Sequence, residues 1–467
     1  MLEKFYFYYT NDLHSHFAQW PRVVRFLKDK KDEAERKKET CWLADIGDHV
    51  DRVHPISEAF MGKANVSLLN DAGYDFATFG NNEGITLAHE DLLHLYDNAA
   101  FEVVCANMQG EQLPAWLHAS VIRTSKSGIK IGVLGLTAPF NDYYDLLGWH
   151  MDTPWEALAA HLPALRQEVD IVVLLSHLGI SEDREIARRF PEIDVIIGGH
   201  THHLLKTGEY ENNAVITAAG KYCTHIGEVI LTWDHERKKL VKKEAYATDI
   251  TDHKIDVEAE KRIINLEKMA NEKLQKKLAH LEVPLQVDWF QRTELIQRLT
   301  DTVLDWTNAD CAMLTAGLLL DGLPAGDITY KDVHRICPHP INPCVVELTG
   351  SELLEVVRAA LSEEFTHFHL KGFGFRGVVL GEMVYSGLKI KIGSHQNGHR
   401  YVKEIYVHEK PLEMEKIYDI ATADTFTFGR MLPEIAKASV KHYFVPELLR
   451  DLLAETLQRE VASETWK

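Results

Sequence analysis

The sequence predicts an α/β fold with two domains, of which the first is layered and the second is of the α+β type. Short apolar runs alternate with amphipathic segments through the first half of the chain, as strands alternate with helices in a layered domain. A stretch rich in Lys and Glu then interrupts this pattern, and new strand and helix signals follow it. The length of 467 residues fits two or three domains of ordinary size.

Six apolar runs of the first half are predicted to be buried strands, because each is short and rich in β-branched or aromatic residues. They are Phe5–Tyr9, Cys41–Ile46, Glu102–Cys105, Ile129–Leu134, Ile171–Leu175 and Val195–Ile197. Between them, Leu87–Asn98 and Pro154–Glu168 are predicted to be helices. The second of these begins with residue types that are favoured at an N-cap and at the first helical position.

The predicted domain bounds are 1–250 for the first domain, 251–283 for a charged helical linker and 284–467 for the second domain. From residue 253 to about 281 the apolar residues recur roughly at helical spacing. A solvated surface helix and a hinge between the domains are both consistent with this stretch. After it, helices are expected at Thr293–Asn308 and Gly350–Ser362, and strands at Val345–Leu348 and Leu388–Ile392.

Charge and cysteine usage exclude several classes of partner. The formal net charge of −19 argues against binding to nucleic-acid polymers or anionic membranes. A small anionic substrate stays possible where bound cations reverse the local field. The six cysteines form no C-x-x-C pair, no apolar run is long enough to span a membrane, and the first residues lack the apolar core of a signal peptide. We therefore expect a soluble cytoplasmic protein, whose oligomeric state the sequence leaves open.

Residues of the types that bind metals follow five short predicted strands, at the point where each strand ends; four of these strands are named above, and the fifth is Ala77–Phe79. The strand ends of an open α/β sheet share one edge, and ligand sites form there. Carboxylate oxygens together with imidazole nitrogens favour divalent ions such as Zn, Mn, Fe or Co. A lone histidine after a strand is more often a core or surface residue, but five such places in this order are specific. The candidate ligands are Asp12, His14, Asp48, Asn81, His177, His200 and His202.

In their order and spacing these motifs resemble those of the calcineurin-like metallophosphoesterases, specifically the bacterial 5′-nucleotidase and UDP-sugar hydrolase branch. That branch carries D-x-H, G-D, G-N-H-E, a single H and then G-H-x-H or G-H-x-Q. The resemblance implies an αββα sandwich at the N-terminus and a substrate-binding 5′-nucleotidase domain at the C-terminus. The second half matches the latter domain at Leu323–Val333, Glu347–Leu354, Tyr385–Leu388 and Tyr418–Thr422.

Carried over residue by residue, the resemblance implies two divalent ions, drawn from Mn, Zn, Fe, Co or Mg, with Asp48 bridging them. One ion would be held by Asp12, His14, Asp48 and His202, and the other by Asp48, Asn81, His177 and His200. Such a pair clamps a phosphoryl group and activates water for in-line attack. The implied function is hydrolysis of phosphate esters, with nucleotides as the expected substrates. The alternatives are a nucleotide-sugar pyrophosphatase, a cyclic-nucleotide phosphodiesterase, or a non-catalytic nucleotide or metal sensor.

The sequence departs from the family's pattern at the expected proton-donating dyad. The family has G-N-H-E-F-D, in which a His–Asp pair stabilises charge in the transition state. Here Asn82 and Ile85 stand at those two positions. We take Asn82 and His16 as the catalytic candidates, with His49 and His203 as further histidines near the motifs.

The expected substrate-binding residues also differ from the pattern. Leu320 stands where the family has an arginine for the substrate phosphate, and the first base-stacking turn reads P-H-P-I-N instead of P-F-x-N. An aromatic pair near residue 426 is the counterpart of the second stacking segment. The candidate substrate-binding residues are Arg335, Arg376, His339, Asn342, Phe426 and Phe428.

Overall fold

The computed structural model describes residues 1–394, 400–429 and 431–464, and for residues 460–464 the description covers the backbone alone. The chain divides into two compact units, Met1–Ala270 and Asn271–Lys467. Among the described residues, no helix is both long enough and apolar enough to pass through a bilayer.

The first unit is built on two large sheets, and all of its residues are described. One sheet has the strand order β15-β14-β1-β2-β3-β4-β6 and the other has the order β12-β13-β11-β10-β8-β7. The strands are β1 (Leu2–Thr10), β2 (Thr40–Asp45), β3 (Phe76–Ala77), β4 (Glu102–Val104), β5 (Met108–Gln109), β6 (Leu117–His118), β7 (Ser120–Thr124), β8 (Lys130–Thr137), β9 (His150–Met151), β10 (Ile171–His177), β11 (Val195–Gly198), β12 (Glu209–Glu211), β13 (Ala214–Thr217), β14 (His225–Asp234) and β15 (Lys239–Asp249).

Apolar side chains fill the space between the two sheets. Phe5 and Phe7 of β1 belong to the same buried cluster as Val133 of β8 and Val173 of β10. The opposite face of the second sheet packs on helices, because alternate strand residues point to opposite faces. The helices are α1 (Trp20–Lys37), α2 (Pro55–Phe60), α3 (Lys63–Ala72), α4 (Asn81–Thr86), α5 (His89–Leu93), α6 (Asn141–Tyr144), α7 (Pro154–Glu168), α8 (Ile180–Arg189) and α9 (Val257–Leu274). The predicted αββα layering is confirmed.

Parallel pairing brings the ends of the central strands to a common edge of each sheet. In one sheet β1 pairs parallel with β2, so that Thr10 lies opposite Asp45. In the other sheet β10 pairs parallel with both β8 and β11, and its Ser176 lies opposite Gly198. The loops that follow β1, β2, β10 and β11 therefore begin next to one another within their sheets. These strand ends and the loops after them carry six of the seven candidate ligands, and the seventh, Asn81, is the first residue of α4.

Two predicted helices are shorter than expected. The helix predicted at Leu87–Asn98 is reduced to α5, which ends at Leu93. Nε1 of Trp116 donates a hydrogen bond to the Leu93 carbonyl, the acceptor that a further helical turn would use. The helix predicted for the linker ends at Leu274, and the following residues form β16 (Lys277–Leu281) because buried and exposed side chains alternate there.

The second unit combines an antiparallel-rich sheet with packed helices, as predicted for an α+β domain. Its main sheet has the order β20-β17-β24-β19-β25, and a smaller sheet has the order β21-β22-β23. The strands after β16 are β17 (Cys311–Thr315), β18 (Gly326–Thr329), β19 (Pro343–Thr349), β20 (Met383–Ser386), β21 (Leu388–Ser394), β22 (Arg400–Val407), β23 (Lys410–Pro411), β24 (Ile417–Ala423) and β25 (Lys441–Tyr443). The helices are α10 (Glu294–Thr307), α11 (Tyr330–Ile336), α12 (Gly350–Ala360), α13 (Glu363–Thr366), α14 (Pro433–Lys437) and α15 (Leu449–Glu464).

Candidate metal centre

The loops after β1 and β11 bring one group of three candidate ligands together. Nε2 of His14 lies 3.0 Å from Nε2 of His202. Both imidazoles face Oδ1 of Asp12, at 3.8 Å from His14 and 3.5 Å from His202. The ligand atoms of the three residues are close enough to surround a single ion.

A second group shares Asp12 and adds one residue from the loop after β2 and the last residue of β10. Oδ1 of Asp48 lies 3.4 Å from Nε2 of His177, and Asp12 completes this group. The other oxygen of Asp48, Oδ2, lies 3.7 Å from Nε2 of His14. The Asp48 carboxylate therefore has one oxygen directed to each group.

The two remaining candidate ligands lie beside the second group. Oδ1 of Asn81 is 2.9 Å from Nδ1 of His200. The ring of His200 has its centroid 5.2 Å from that of His177. All seven residues that the sequence predicted as ligands are thus in one cluster at the edge of the first unit.

The backbone of the cluster is held in an unusual conformation. Residues other than glycine rarely adopt positive φ, and such strain persists where the surroundings enforce it, often at functional sites. Five of the seven candidate ligands have positive φ, namely Asp12 (51°), His14 (48°), Asp48 (50°), His200 (69°) and His202 (59°). At Gly80 an added Cβ would overlap Oδ1 of Asp48 and Nε2 of His177, so only glycine fits there.

The donor set fits divalent metal ions. Nε2 of His177 is buried and has no hydrogen-bond partner, which is rare for a buried polar atom unless an ion or water accounts for it. The two imidazole nitrogens that face each other at 3.0 Å, from His14 and His202, also fit a shared cation. Carboxylates combined with imidazoles are the ligands of Zn and of related borderline metals.

The electrostatics of the cluster favour cations. Burial by itself would raise the pKa of the Asp48 carboxyl, but the imidazoles of His177 and His14 and a hydrogen bond from the Asn82 backbone hold that pKa below its ordinary value. Burial likewise opposes a charge on His177, yet the carboxylates of Asp48 and Asp12 raise its pKa to about 10. The buried carboxylates therefore stay ionised, and their negative charge is directed at the ligand positions.

Comparison with known proteins decides the family. The family described as "Calcineurin-like phosphoesterase" matches residues 5–204, and "5'-nucleotidase, C-terminal domain" matches residues 275–431. The "Uncharacterized metallophosphoesterase YunD" of Bacillus subtilis (strain 168) is 41% identical over 97% of this chain and 99% of that protein. The chain therefore belongs to the calcineurin-like phosphoesterase family, and it carries the C-terminal domain of the 5′-nucleotidases. Its members hydrolyse phosphoric esters with divalent metal ions, so the predicted family and enzyme class are confirmed.

Solved structures support the same fold over the length of the chain. The 5′-nucleotidase precursor of Thermus thermophilus superimposes with a TM-score of 0.59 at 21% identity, covering 98% of this chain and 96% of that chain. The NAD nucleotidase of Haemophilus influenzae gives a TM-score of 0.68 at 15% identity, covering 98% and 97%. At such identities the two structures show the fold alone.

Beside the candidate ligands of this metallophosphoesterase lies a buried carboxylate that the prediction did not include. Glu83 accepts hydrogen bonds from the backbone N–H groups of Asp48, Val50 and Gly80 at 2.8–3.0 Å. It therefore joins the loop after β2 to the turn before α4. The sequence signal was present, since Glu83 ends the G-N-N-E motif in which Asn81 was recognised.

The two catalytic candidates have different surroundings. Asn82 is buried, and its side-chain Nδ2 lies 2.7 Å from Nδ1 of His14. His16 is exposed, and its ring stacks on Tyr222 with centroids 3.6 Å apart. The ring of Tyr222 is in turn 6.0 Å from that of His14, so His16 lies near the metal cluster.

The two further histidines are less suited to proton transfer. His49 is buried against Trp20, and burial lowers its pKa to about 3. His203 is exposed, and its Nδ1 lies 2.9 Å from the Thr201 hydroxyl. Of the histidines considered, His16 alone is both open to solvent and in ring contact with a neighbour of a candidate ligand.

Two aromatic side chains beside the cluster were not predicted. The half-buried Phe140, which follows β8, has its ring 5.7 Å from that of His200. Tyr222 lies between His14 and His16, as described above, and has a positive φ of 60°. Single aromatic residues in loops have no motif, and sequence spacing gave no signal for either one.

In the second unit, three of the predicted substrate-binding residues are buried in the interior. His339 is fully buried, with Nε2 2.8 Å from the Leu318 carbonyl oxygen. Asn342 donates a hydrogen bond to the Glu447 carbonyl, and Phe426 is 1% exposed. Their burial leaves no surface for a substrate, so the prediction for these three residues is corrected.

The other predicted substrate-binding residues lie nearer the surface. Arg335 forms an exposed ion pair with Asp321 at 2.6 Å. Nη1 of Arg376 donates a hydrogen bond to the Phe375 carbonyl at 3.3 Å. The ring of Phe428 lies nearly parallel to that of Phe373, with centroids 6.0 Å apart and planes 7° apart. Phe373, which is 50% exposed, was missed because it lies outside every motif that the sequence suggested.

Proposed function

We propose that this metallophosphoesterase hydrolyses nucleotides, or closely related phosphate esters, at a centre of two divalent ions. The observation that carries the proposal is the position of Asp48, whose two carboxylate oxygens are directed to His14 in one group of ligands and to His177 in the other. A carboxylate between two groups of ligands is suited to bridge two ions. The predicted assignment of the seven ligands to two ions forms part of this proposal.

In the proposed reaction the ions, when bound, would hold the phosphoryl group and provide an acidified water as the nucleophile. The residues of the chain fix the geometry. The backbone N–H of His200 donates to both oxygens of Asp12, at 3.2 and 3.1 Å, and the N–H of Asn82 donates to Asp48 at 2.8 Å. These hydrogen bonds hold the carboxylates in one orientation, which is how an enzyme preorganises a charged site.

Nucleotides are proposed as substrates because an aromatic pair is available in the second unit. Phe373 and Phe428 have nearly parallel rings, and both are at least partly exposed. Stacking of a base on aromatic rings is worth about 1–3 kcal/mol and tolerates different bases. A nucleoside group is therefore the part of the substrate that we expect this pair to bind.

We further propose that the enzyme favours leaving groups that need little protonation, such as those of phosphoanhydrides and nitrophenyl esters. An amide at position 82 cannot deliver a proton at neutral pH, and the Asn82 amide contacts His14. A nucleotide-sugar pyrophosphatase activity would follow from the same preference. Proton donation by His16 is the competing possibility, since its ring is held beside Tyr222 near the cluster.

The experiment is a series of phosphate esters with graded leaving-group pKa, assayed with Mn²⁺ on the wild type and on His16→Gln. A steep dependence of kcat/KM on leaving-group pKa in both proteins supports the absence of a proton donor. A flat dependence in the wild type that becomes steep in His16→Gln would assign proton donation to His16. Absence of any hydrolysis, with metal bound, would favour the sensor alternative and refute the proposed function.

The cysteines support a proposal about the compartment. All six are free in the structure, and all but the half-buried Cys41 are buried. Burial raises the pKa of the thiols of Cys105 and Cys337 to about 12, which keeps them protonated and unreactive. We propose that the protein works in a reducing compartment, the cytoplasm.

A further inference from the structure

Asn82 touches two of the candidate ligands. Nδ2 of its side chain lies 2.7 Å from Nδ1 of His14, and its backbone N–H donates to Oδ1 of Asp48 at 2.8 Å. The residue is 8% exposed. In the motif it stands where the resemblance places a histidine that acts on the substrate, but here the side chain is directed to a ligand.

The two nitrogens of the His14 ring face different groups. Nε2 faces Nε2 of His202, Oδ1 of Asp12 and Oδ2 of Asp48, so Nε2 is the nitrogen that can bind a metal. A ligating imidazole carries its proton on the other nitrogen and donates it to an oxygen, which fixes the ring orientation. Nδ1–H of His14 therefore needs an acceptor, and the amide of Asn82 is the nearest polar group to it.

The amide of Asn82 can meet this need without moving from its place. A half-turn about the Cβ–Cγ bond exchanges its oxygen and nitrogen, which have nearly the same size, so that the oxygen faces Nδ1. Oδ2 of Asp51 lies 3.5 Å from the same nitrogen and gives weaker support. Asp51 is itself fixed, since its backbone N–H donates to the Ser15 hydroxyl and its Oδ1 accepts from the Val53 N–H.

The backbone around Asn82 keeps the side chain in this direction. Asn82 lies in the first turn of α4, and its carbonyl accepts a hydrogen bond from the Thr86 hydroxyl. Its N–H is engaged by Asp48, as described above. With both backbone groups engaged and the side chain buried, the amide is held against His14.

We propose that Asn82 is a positioning residue for the metal centre, which orients His14 through its side-chain oxygen and Asp48 through its backbone. This inference rests on the proposed two-ion centre. Loss of the side-chain oxygen weakens binding of the ion held by Asp12, His14 and His202 and spares the ion held through His177. An asymmetric loss of metal distinguishes this role from a contribution to folding alone.

The test compares Asn82→Leu and Asn82→Ala, which lack the acceptor, with Asn82→Asp, which keeps an oxygen at the same position. Mn²⁺ binding isotherms give the affinity and number of ions, and thermal unfolding of the metal-free protein reports the fold. We expect one of two ions to bind about 10–100-fold more weakly in the first two variants. Asn82→Asp should restore tight binding of both ions.

The matched control is Asn70→Leu, which removes a half-buried amide that bonds the backbone of Asn98 and Ala100, away from the ligands. It should leave both Mn²⁺ affinities unchanged. Unchanged isotherms in Asn82→Ala, or equal weakening of both ions together with loss of thermal stability, would overturn the proposal. If the wild type itself binds fewer than two ions, the proposed two-ion centre fails, which is a separate result.

Discussion

The candidate metal centre of the first unit and the aromatic pair of the second unit, Phe373 and Phe428, are held in place in different ways. In the first, the ligands follow parallel strands, and five of them adopt positive φ, so the backbone itself directs the side chains. In the second, Phe373 and Phe428 meet because two loops pack together, as when the Thr425 hydroxyl bonds the Phe373 carbonyl. In the metal centre the strand ends fix where the side chains lie, whereas in the second unit the packing of two loops does so.

The contrast explains why the two sites differ in how far they follow the family's motifs. Every candidate ligand of the metal centre has a side chain that binds metals, including Asn81 beside the changed position 82. In the second unit, His339 and Phe426 occupy motif positions and yet are buried in the core. The metal centre therefore keeps residue types that suit the family's chemistry, whereas two motif positions of the second unit serve the core.

The largest effect is expected from removing the proposed bridge between the two groups of candidate ligands. Asp48→Asn and, as a separate variant, His200→Ala should each lower kcat/KM by about 10³-fold or more. Bound metals supply several kcal/mol of transition-state stabilisation, and each variant removes a candidate ligand. Elemental analysis should show a parallel loss of metal. The control is Asp71→Asn, which changes an exposed carboxylate paired with Arg262. Wild-type turnover and wild-type metal content in Asp48→Asn would contradict the proposal that Asp48 bridges two ions.

The proximity of the candidate ligands was predictable, and the reason is geometric. Ligands such as Asp48 and His177 directly follow apolar strands, and parallel strands end at one edge, so spacing in sequence translates into proximity. The partners of these ligands were harder to predict. Tyr222 reaches His16 from a distant loop, and Phe373 reaches Phe428 in the same way. Contacts between loops depend on conformations that no periodic pattern records.

A smaller but still large effect is expected at Gly80, where the backbone approaches the ligands closely. In Gly80→Ala the new methyl group would overlap the Asp48 carboxylate and the His177 ring, so one of them must move. We expect a loss of activity of about 10²-fold, as for a misplacement of about 1 Å in an active site. The control is Gly128→Ala in the turn between β7 and β8, where the Cβ would meet no other atom within 4 Å and the φ of 91° leaves backbone strain as the one cost of the methyl group. Equal kcat/KM in both variants would show that the close approach does not matter.

A moderate effect on KM is expected from removing one ring of the aromatic pair. It should appear with nucleotides alone, and this distinguishes substrate binding in the second unit from the reaction at the metal centre. Phe373→Ala should raise KM for nucleotides about tenfold, in line with about 1–3 kcal/mol for a stacked base. Hydrolysis of p-nitrophenyl phosphate, which has no base, should stay unchanged. Phe368→Ala is the control, because Phe368 is a similarly exposed phenylalanine of the same unit. A proportional loss on both substrates would mean that Phe373 supports the fold and not the nucleoside.

The smallest effect is expected at Arg335, which the sequence suggested as a phosphate ligand. Its guanidinium pairs with Asp321 at 2.6 Å and also donates to the Gly322 carbonyl, and both charged side chains are exposed. Exposed ion pairs contribute about 0–1 kcal/mol, so Arg335→Gln should lower the free energy of unfolding by no more than about 1 kcal/mol and leave KM for nucleotides unchanged. Steady-state kinetics alongside Asp321→Asn checks this, since loss of a surface pair affects both variants alike. A tenfold rise in KM confined to Arg335→Gln would instead assign the arginine to the substrate phosphate, and recognition would then depend on a residue that sequence spacing had found.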